Sequence, residues 1–245
     1  MNTPIKTIEA FYKAVKDGDA QAKFVLELQN RYNGLFDFDP VSFENVPSTL
    51  DDMLLKYLAG ANGGDRLYRI FLYAKDSLKF LMHELHTKIL REHILMPVQQ
   101  VRETDGKTIR WLSKKPGRNI KEKLSGSYKL LAVRRLQSCD TAENRLLKAL
   151  AIKLNELLFL RETCVPISQD DLDETLFLSR WLRSEDADYI GEWKNTPPNN
   201  ALLSDKRYKK LWIAWNALQH LDEDIAEDFL RFDYIRMSMS IVHFI

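Results

Sequence analysis

The stretch that decides the fold is Ser138-Cys-Asp-Thr-Ala-Glu-Asn-Arg-Leu-Leu-Lys-Ala-Leu-Ala-Ile-Lys-Leu-Asn-Glu-Leu-Leu-Phe-Leu160. Asp140 and Glu143 have the spacing of a capping box: an N-cap oxygen takes an orphan amide three residues on, and the acid at N3 reaches back. Both carboxylates would also stand at the positive end of the helix dipole. Leu146, Leu150, Leu154 and Leu157 recur at four, four and three residues, and Leu147, Ala151 and Leu158 widen the stripe. That period predicts a helix with one broad face in the core. Glu143-Asn144-Arg145 reads in two ways. Glu143 caps, Asn144 is a first-turn residue and Arg145 is wet, or Asn144 and Arg145 orient a neighbouring domain or a phosphate at the helix N-terminus.

Outward from this helix, the composition bounds the class. The 245 residues suffice for one large domain or two modest ones. Only 9 Gly and 8 Pro favour helices over an all-β fold. The net charge of +1 gives no global pull towards polyanions. Two cysteines, Cys139 and Cys164, are no disulfide framework, so a reduced, cytoplasmic setting is the expectation. The first residues lack the apolar run of a signal peptide. No apolar run reaches the ~18 residues of a membrane span, so no membrane partner is expected.

Upstream, Pro4 and the stripe Ile5, Ile8, Phe11, Tyr12 and Val15 predict a helix over 3–15, stopped at Asp17-Gly18. A second helix is expected over 20–32, an irregular stretch over 35–46, a short helix over 48–58 and a loop at 59–64. A long helix over 65–91 follows, because Leu67, Phe71, Ala74, Leu78, Leu81 and Leu85 form a heptad-like seam. Packing inside its own domain is the plainer use of that seam, and a partner helix the other. His83 and His86 would be one turn apart on this helix, a spacing open to a metal. No Cys/His/Asp cluster accompanies them, so solvated histidines are expected and no metal. Asp105-Gly106 between Val98, Val101 and Ile109, Trp111, Leu112 predicts a hairpin.

Downstream, Asp170, Asp171, Asp173 and Glu174 read as an acidic first turn rather than a metal cluster. Asn195-Thr-Pro-Pro-Asn-Asn200 breaks the chain. Ser204 or Asp205 then caps a helix whose stripe is Tyr208, Leu211, Trp212, Trp215 and Leu218. One or two helices over 222–245 end in the apolar Ile241–Ile245, which should be covered. Arg236 and His243 fit the loose Arg-x(4–6)-His pattern of HEPN-type ribonucleases, a spacing common by chance. The class is therefore mainly α: a multi-helix bundle with one small β-hairpin near residues 98–112. The regions are an N-terminal helical part (1–95), a basic hairpin and loop segment (96–137) and a C-terminal helical part (138–245), which together can also form one continuous domain.

Charge is lopsided between Arg102 and Arg135. Eleven Lys and Arg face three acids, Glu103, Asp105 and Glu122. The segment carries +8, which leaves −7 for the rest of a +1 chain. Trp111 and Tyr128 are interleaved with the cations, and Gly117 and Gly126 let backbone approach, a combination suited to phosphates. A solvated loop, or a basic surface facing the chain's own acids, is the bland alternative. The candidate nucleic-acid-binding residues are Arg110, Lys114, Lys115, Arg118, Lys121, Lys123, Arg134 and Arg135. No catalytic or cofactor motif stands out, so no catalytic residue and no cofactor are expected.

Three segments together carry a resemblance: Ile109-Arg-Trp-Leu-Ser-Lys-Lys-Pro-Gly-Arg118, Asp140-Thr-Ala-Glu-Asn-Arg-Leu-Leu-Lys148 and Ala201-Leu-Leu-Ser-Asp-Lys-Arg-Tyr-Lys-Lys-Leu-Trp212. They resemble the helical region that precedes the PD-(D/E)XK nuclease in McrC-like bacterial restriction and defence proteins. There a Thr-Pro-Glu-Asn-Arg-Phe-type motif opens a long helix and a Leu-x-x-x-x-x-Tyr-type segment a later one. The resemblance covers roughly Leu95 to Trp215. Ala142 replaces the proline of the motif, and the sequence stops about where the nuclease would begin, so cleavage chemistry is not carried over. The resemblance implies a non-catalytic subunit of a defence complex that binds DNA or RNA, an AAA+ ATPase or a separate nuclease. Arg110, Lys114, Lys115 and Arg118 would touch phosphate or partner. The alternatives are a HEPN-like ribonuclease or toxin, and a protein-interaction scaffold without nucleic acid.

Overall fold

The computed structural model describes residues 5–31, 64–124, 126–165 and 169–242. Their elements run α1 (Ile8–Asp17), α2 (Ala20–Arg31), α3 (Arg66–His83), β1 (Lys88–Pro97), α4 (Gly106–Ser113), α5 (Ile120–Leu124), β2 (Lys129–Ser138), α6 (Ala142–Cys164), α7 (Gln169–Leu182), α8 (Glu185–Asp188), α9 (Asn200–Ser204) and α10 (Lys206–Val242). The chain divides into a helical unit, Met1–Leu85 with Ala142–Ile245, and an insert, His86–Thr141. The expected helix over 48–58, the irregular stretch over 35–46 and His243 of the Arg236–His243 pair lie outside the described residues.

The helical unit is built on α3, α6 and α10. Leu67, Phe71, Ala74, Leu78 and Leu81 are all buried, so the seam of α3 is spent inside its own unit. The whole expected stripe of α6 is buried as well, from Leu146 to Leu158. Full burial of each such leucine contributes about 1.5–3 kcal/mol. Thr7 caps α1 by accepting from the Ala10 N–H at 3.2 Å, and Gly18 ends it at φ +88°, where a Cβ is disfavoured. That helix starts later than its proline suggested. Asp222 Oδ1 accepts from its first amide, Ile8, at 2.8 Å.

Charge is buried at the N-terminal end of α3. Asp65 caps the helix by accepting from the Tyr68 N–H at 2.9 Å, and its second oxygen accepts from Arg161 Nε on α6 at 2.6 Å. Arg161 also lies 4.8 Å over the Tyr68 ring. Arg66 forks onto Asp228 of α10 at 2.8 and 3.0 Å, and Gln29 of α2 donates to the same carboxylate at 2.8 Å. The Asp228 side chain is fully buried and that of Arg66 is 9% exposed. Arg69 donates to the carbonyls of Gly64 and Gln29.

At the head of α6 the structure corrects the capping expectation. The helix begins at Ala142, one residue later than a cap at Asp140 would start it. Glu143 and Asn144 are buried instead. Asn199 Nδ2 donates to Glu143 Oε1 at 2.9 Å, and the Tyr208 hydroxyl donates to the Asn144 side-chain oxygen. Lys148 donates to the carbonyls of Ala187 and Ile190 at 2.8 and 2.7 Å, which closes the end of α8. The helix expected after Ser204 or Asp205 and the one or two expected over 222–245 form a single helix, because neither Gly nor Pro interrupts it from Lys206 to Val242.

The insert corrects two further expectations. The helix over 65–91 ends at His83, where the Glu84 N–H closes on Phe80 at 3.0 Å and the backbone then turns extended. Leu85 therefore lies off the seam, and His83 and His86 share no helical turn. Residues beyond it form β1, antiparallel to β2 in an unbroken register from Lys88↔Ser138 to Pro97↔Lys129. No hairpin forms near 98–112. Asp and Gly serve helix starts as well as turns, and here Asp105 is the N-cap of α4. Asp105 Oδ1 accepts from the Lys107 and Thr108 N–H groups at 2.9 and 3.1 Å, and the Thr108 hydroxyl accepts back from the Asp105 N–H at 3.3 Å. His93 Nε2 of β1 lies 2.8 Å from Asp105 Oδ2. Among the described residues no helix is long and apolar enough to cross a membrane.

Removing Asp228 takes the two-bond partner from the buried Arg66 guanidinium and leaves Asp224 at 3.6 Å. Asp228→Ala is expected to lower the unfolding free energy by about 3–5 kcal/mol in urea titration, and a loss below about 1 kcal/mol would contradict the lock. Asp105→Asn keeps a capping oxygen and removes the charge. The bond to His93, then those to the Thr108 and Lys107 amides, hold the Asp105 carboxyl at about 2 instead of 3.8. A depressed acid stabilises the fold above its unfolded pKa and loses that contribution as pH falls through its folded one. Amide exchange in α4 should therefore be slower in the parent than in Asp105→Asn near neutral pH, with the difference closing between pH 3.8 and about 2.

Candidate nucleic-acid interface

The insert holds thirteen Lys and Arg against five acids, a net +8. Which cations stay free depends on what the acids do. Thr108 is buried, and its side of α4 packs towards β2. A turn of 100° per residue then brings Lys107, Arg110, Trp111 and Lys114 to one face. Lys107, Arg110 and Lys114 are exposed, and Trp111 is half-buried. Lys115 stands 4.1 Å over the Trp111 ring, a cation–π contact that leaves its charge unneutralised. Arg110 Nε donates back to the Gly106 carbonyl at 3.3 Å.

Beyond α4 the chain makes a tight, basic turn. Gly117 has φ +132°, and a Cβ there would meet Glu122 Cβ and the Lys123 nitrogen at 2.8 Å. Only glycine permits that approach. Asn119 Oδ1 accepts from the Glu122 N–H at 2.8 Å and caps α5. The Glu122 carboxylate accepts from the Arg118 N–H at 2.8 Å and from Asn119 Nδ2 at 2.7 Å. This acid is thus consumed by amides, not by lysines. Arg118 and Lys121 are exposed and Lys123 is half-buried on the same short turn. Leu124 is buried and anchors it. The chain reaches β2 through Ser127, whose N–H donates to the Leu124 carbonyl at 3.0 Å, and Tyr128.

Arg134 and Arg135 are neighbours on β2 and therefore point to opposite faces of the ribbon. Glu103 runs along the outer edge of β2, its carbonyl accepting from the Val133 N–H at 3.0 Å. That places its carboxylate on Arg135, at 2.5 and 3.0 Å, with Arg91 at 3.7 Å. The Arg135 bond holds the Glu103 carboxyl below its usual range. Arg102, Glu103, Arg134, Arg135, Ile94 and Met96 line an open groove of about 630 Å³ along this edge.

The eight candidate cations thus fall into three places. Arg110 and Lys114 share a helix face, with Lys115 on Trp111. Arg118, Lys121 and Lys123 share the capped turn. Arg134 and Arg135 are divided by the sheet, and Arg135 alone among the eight has an acid partner among the described residues. Lys107, hidden by the hairpin reading, joins the first group; the Asp105-x-x-Thr108 spacing was its signal. Among the described residues no group of three or more His, Cys, Asp or Glu could hold a metal, and neither Cys139 nor Cys164 is in a disulfide.

No curated protein and no solved structure matches the chain. Residues 67–175 match the family model described as a domain of unknown function (DUF2357), a span that begins in α3, takes in the whole insert and ends in α7.

Proposed function

We propose that the insert binds the phosphate backbone of nucleic acid and that the chain acts as a non-catalytic, nucleic-acid-binding subunit. One observation carries this reading. The three acids of the 102–135 segment are engaged by Arg135, by His93 and two helix caps, while Lys107, Arg110, Lys114, Arg118 and Lys121 are exposed and their side-chain cations form no ion pair within 4.0 Å among the described residues. A surface of cations without internal counter-charge gains by releasing the condensed ions of a polyanion. The McrC-like resemblance of residues 95–215 extends the reading to a restriction or defence complex, with an AAA+ ATPase or nuclease as protein partner. Capture of such a partner from nuclease-treated lysate tests that extension separately.

Binding of labelled DNA and RNA, followed by fluorescence anisotropy, should weaken linearly in log salt. Reversal of Arg110, Lys114, Arg118 and Lys121 to Glu should reduce affinity by on the order of a hundredfold or more and flatten the salt slope by several units. Arg135→Ala should change affinity little, because Glu103 already holds that side chain. Full binding by the four-fold reversal, with the thermal transition intact, would sink the proposal.

A further inference from the structure

We infer that the nucleic acid is single-stranded where it meets the open end of the β1–β2 ribbon, with Tyr128 as a stacking platform for an unpaired base. The inference rests on the nucleic-acid reading above and adds the form of the strand. Tyr128 is a non-glycine residue at φ +46° and is 68% exposed. A left-handed backbone is costly for an aromatic residue. The fold's own use of Tyr128 is its carbonyl, which accepts from the Val98 N–H at 2.9 Å and closes the ribbon. Glycine or asparagine would present that carbonyl with less strain. The ring is therefore not what the backbone requires, and it is turned outward where it packs on little.

Its surroundings select the occupant. Tyr128 is followed by Lys129, exposed at the first position of β2, and preceded by the turn that carries Arg118, Lys121 and Lys123. None of these four cations has an acid partner among the described residues, and the acid of the turn, Glu122, is held by amides. Val98, bonded to Tyr128, is exposed too, at 42%. An aromatic face with an apolar neighbour inside a fringe of free cations matches a base and its flanking phosphates. In a duplex the bases stack on one another and offer no face to a side chain. An apolar protein surface would leave the four cations unmatched.

Anisotropy titrations with a labelled oligonucleotide, alone and annealed to its complement, decide the point on the parent, Tyr128→Asn, Tyr128→Phe and Tyr128→Trp. Asn tolerates the positive φ, so the loss variant keeps the backbone. The parent should prefer the single strand. Tyr128→Asn should weaken single-strand binding on the order of ten- to a hundredfold with the salt slope unchanged, while Phe and Trp restore it. Duplex binding should be equal in all four proteins. Equal single-strand affinity in Tyr128→Asn and the parent, or tighter binding of duplex, overturns the stacking role while leaving the phosphate-binding proposal in place. Absence of binding to either form removes both.

Discussion

Two ion pairs at one end of one helix hold the helical unit in register. Asp65 and Arg66 are adjacent, and each is committed to a different helix, Asp65 to Arg161 on α6 and Arg66 to Asp228 on α10. Neither pair is free to slide. A leucine seam such as that of α3 tolerates displacement by a turn, because one apolar contact resembles the next. A buried guanidinium does not, because its desolvation is offset only where its fork meets a carboxylate. Apolar area drives these helices together, and the charges choose which arrangement of them is stable.

The insert works on a different balance. It is a ribbon with short helices in its connection, and its strands are largely exposed, with Ala132 and Val133 as their buried residues. Order comes from capping: Asp105 on α4, Asn119 and Glu122 on α5, Glu103 along the edge of β2. Acids that might have neutralised the lysines are drawn into local hydrogen bonds. The positive surface is in this sense a by-product of how the turns are closed.

Much of the helical unit was legible in the sequence. The stripes of α1, α3 and α6 are local periods, and every apolar residue named for α6 is buried. The ribbon was not legible. Ile89 and Leu90 find their partners in Gln137 and Leu136, 48 and 46 residues on, and no local period carries such a pairing. Leu85 extended the heptad count by chance and hid the end of α3. Asp105-Gly106 is equally good chemistry for a turn and for a helix start. Of the interface, the excess of cations could be counted directly. The neutralisation of Arg135 could not, since it follows from Glu103 lying alongside β2. The burial of Asn144 likewise depended on Tyr208, sixty-four residues away.

The insert enters by β1 and leaves by β2, and the outermost pair of that register is Lys88 with Ser138. Paired positions of antiparallel strands lie about 5 Å apart. The points at which the chain departs for the insert and comes back from it are therefore side by side. Whatever happens farther along the ribbon, in length, charge or helix content, those two points need not shift. Such a stem suits diversification: descendants can exchange the distal part wholesale, by recombination or by gradual drift, while the helices on either side of the junction keep their sequence.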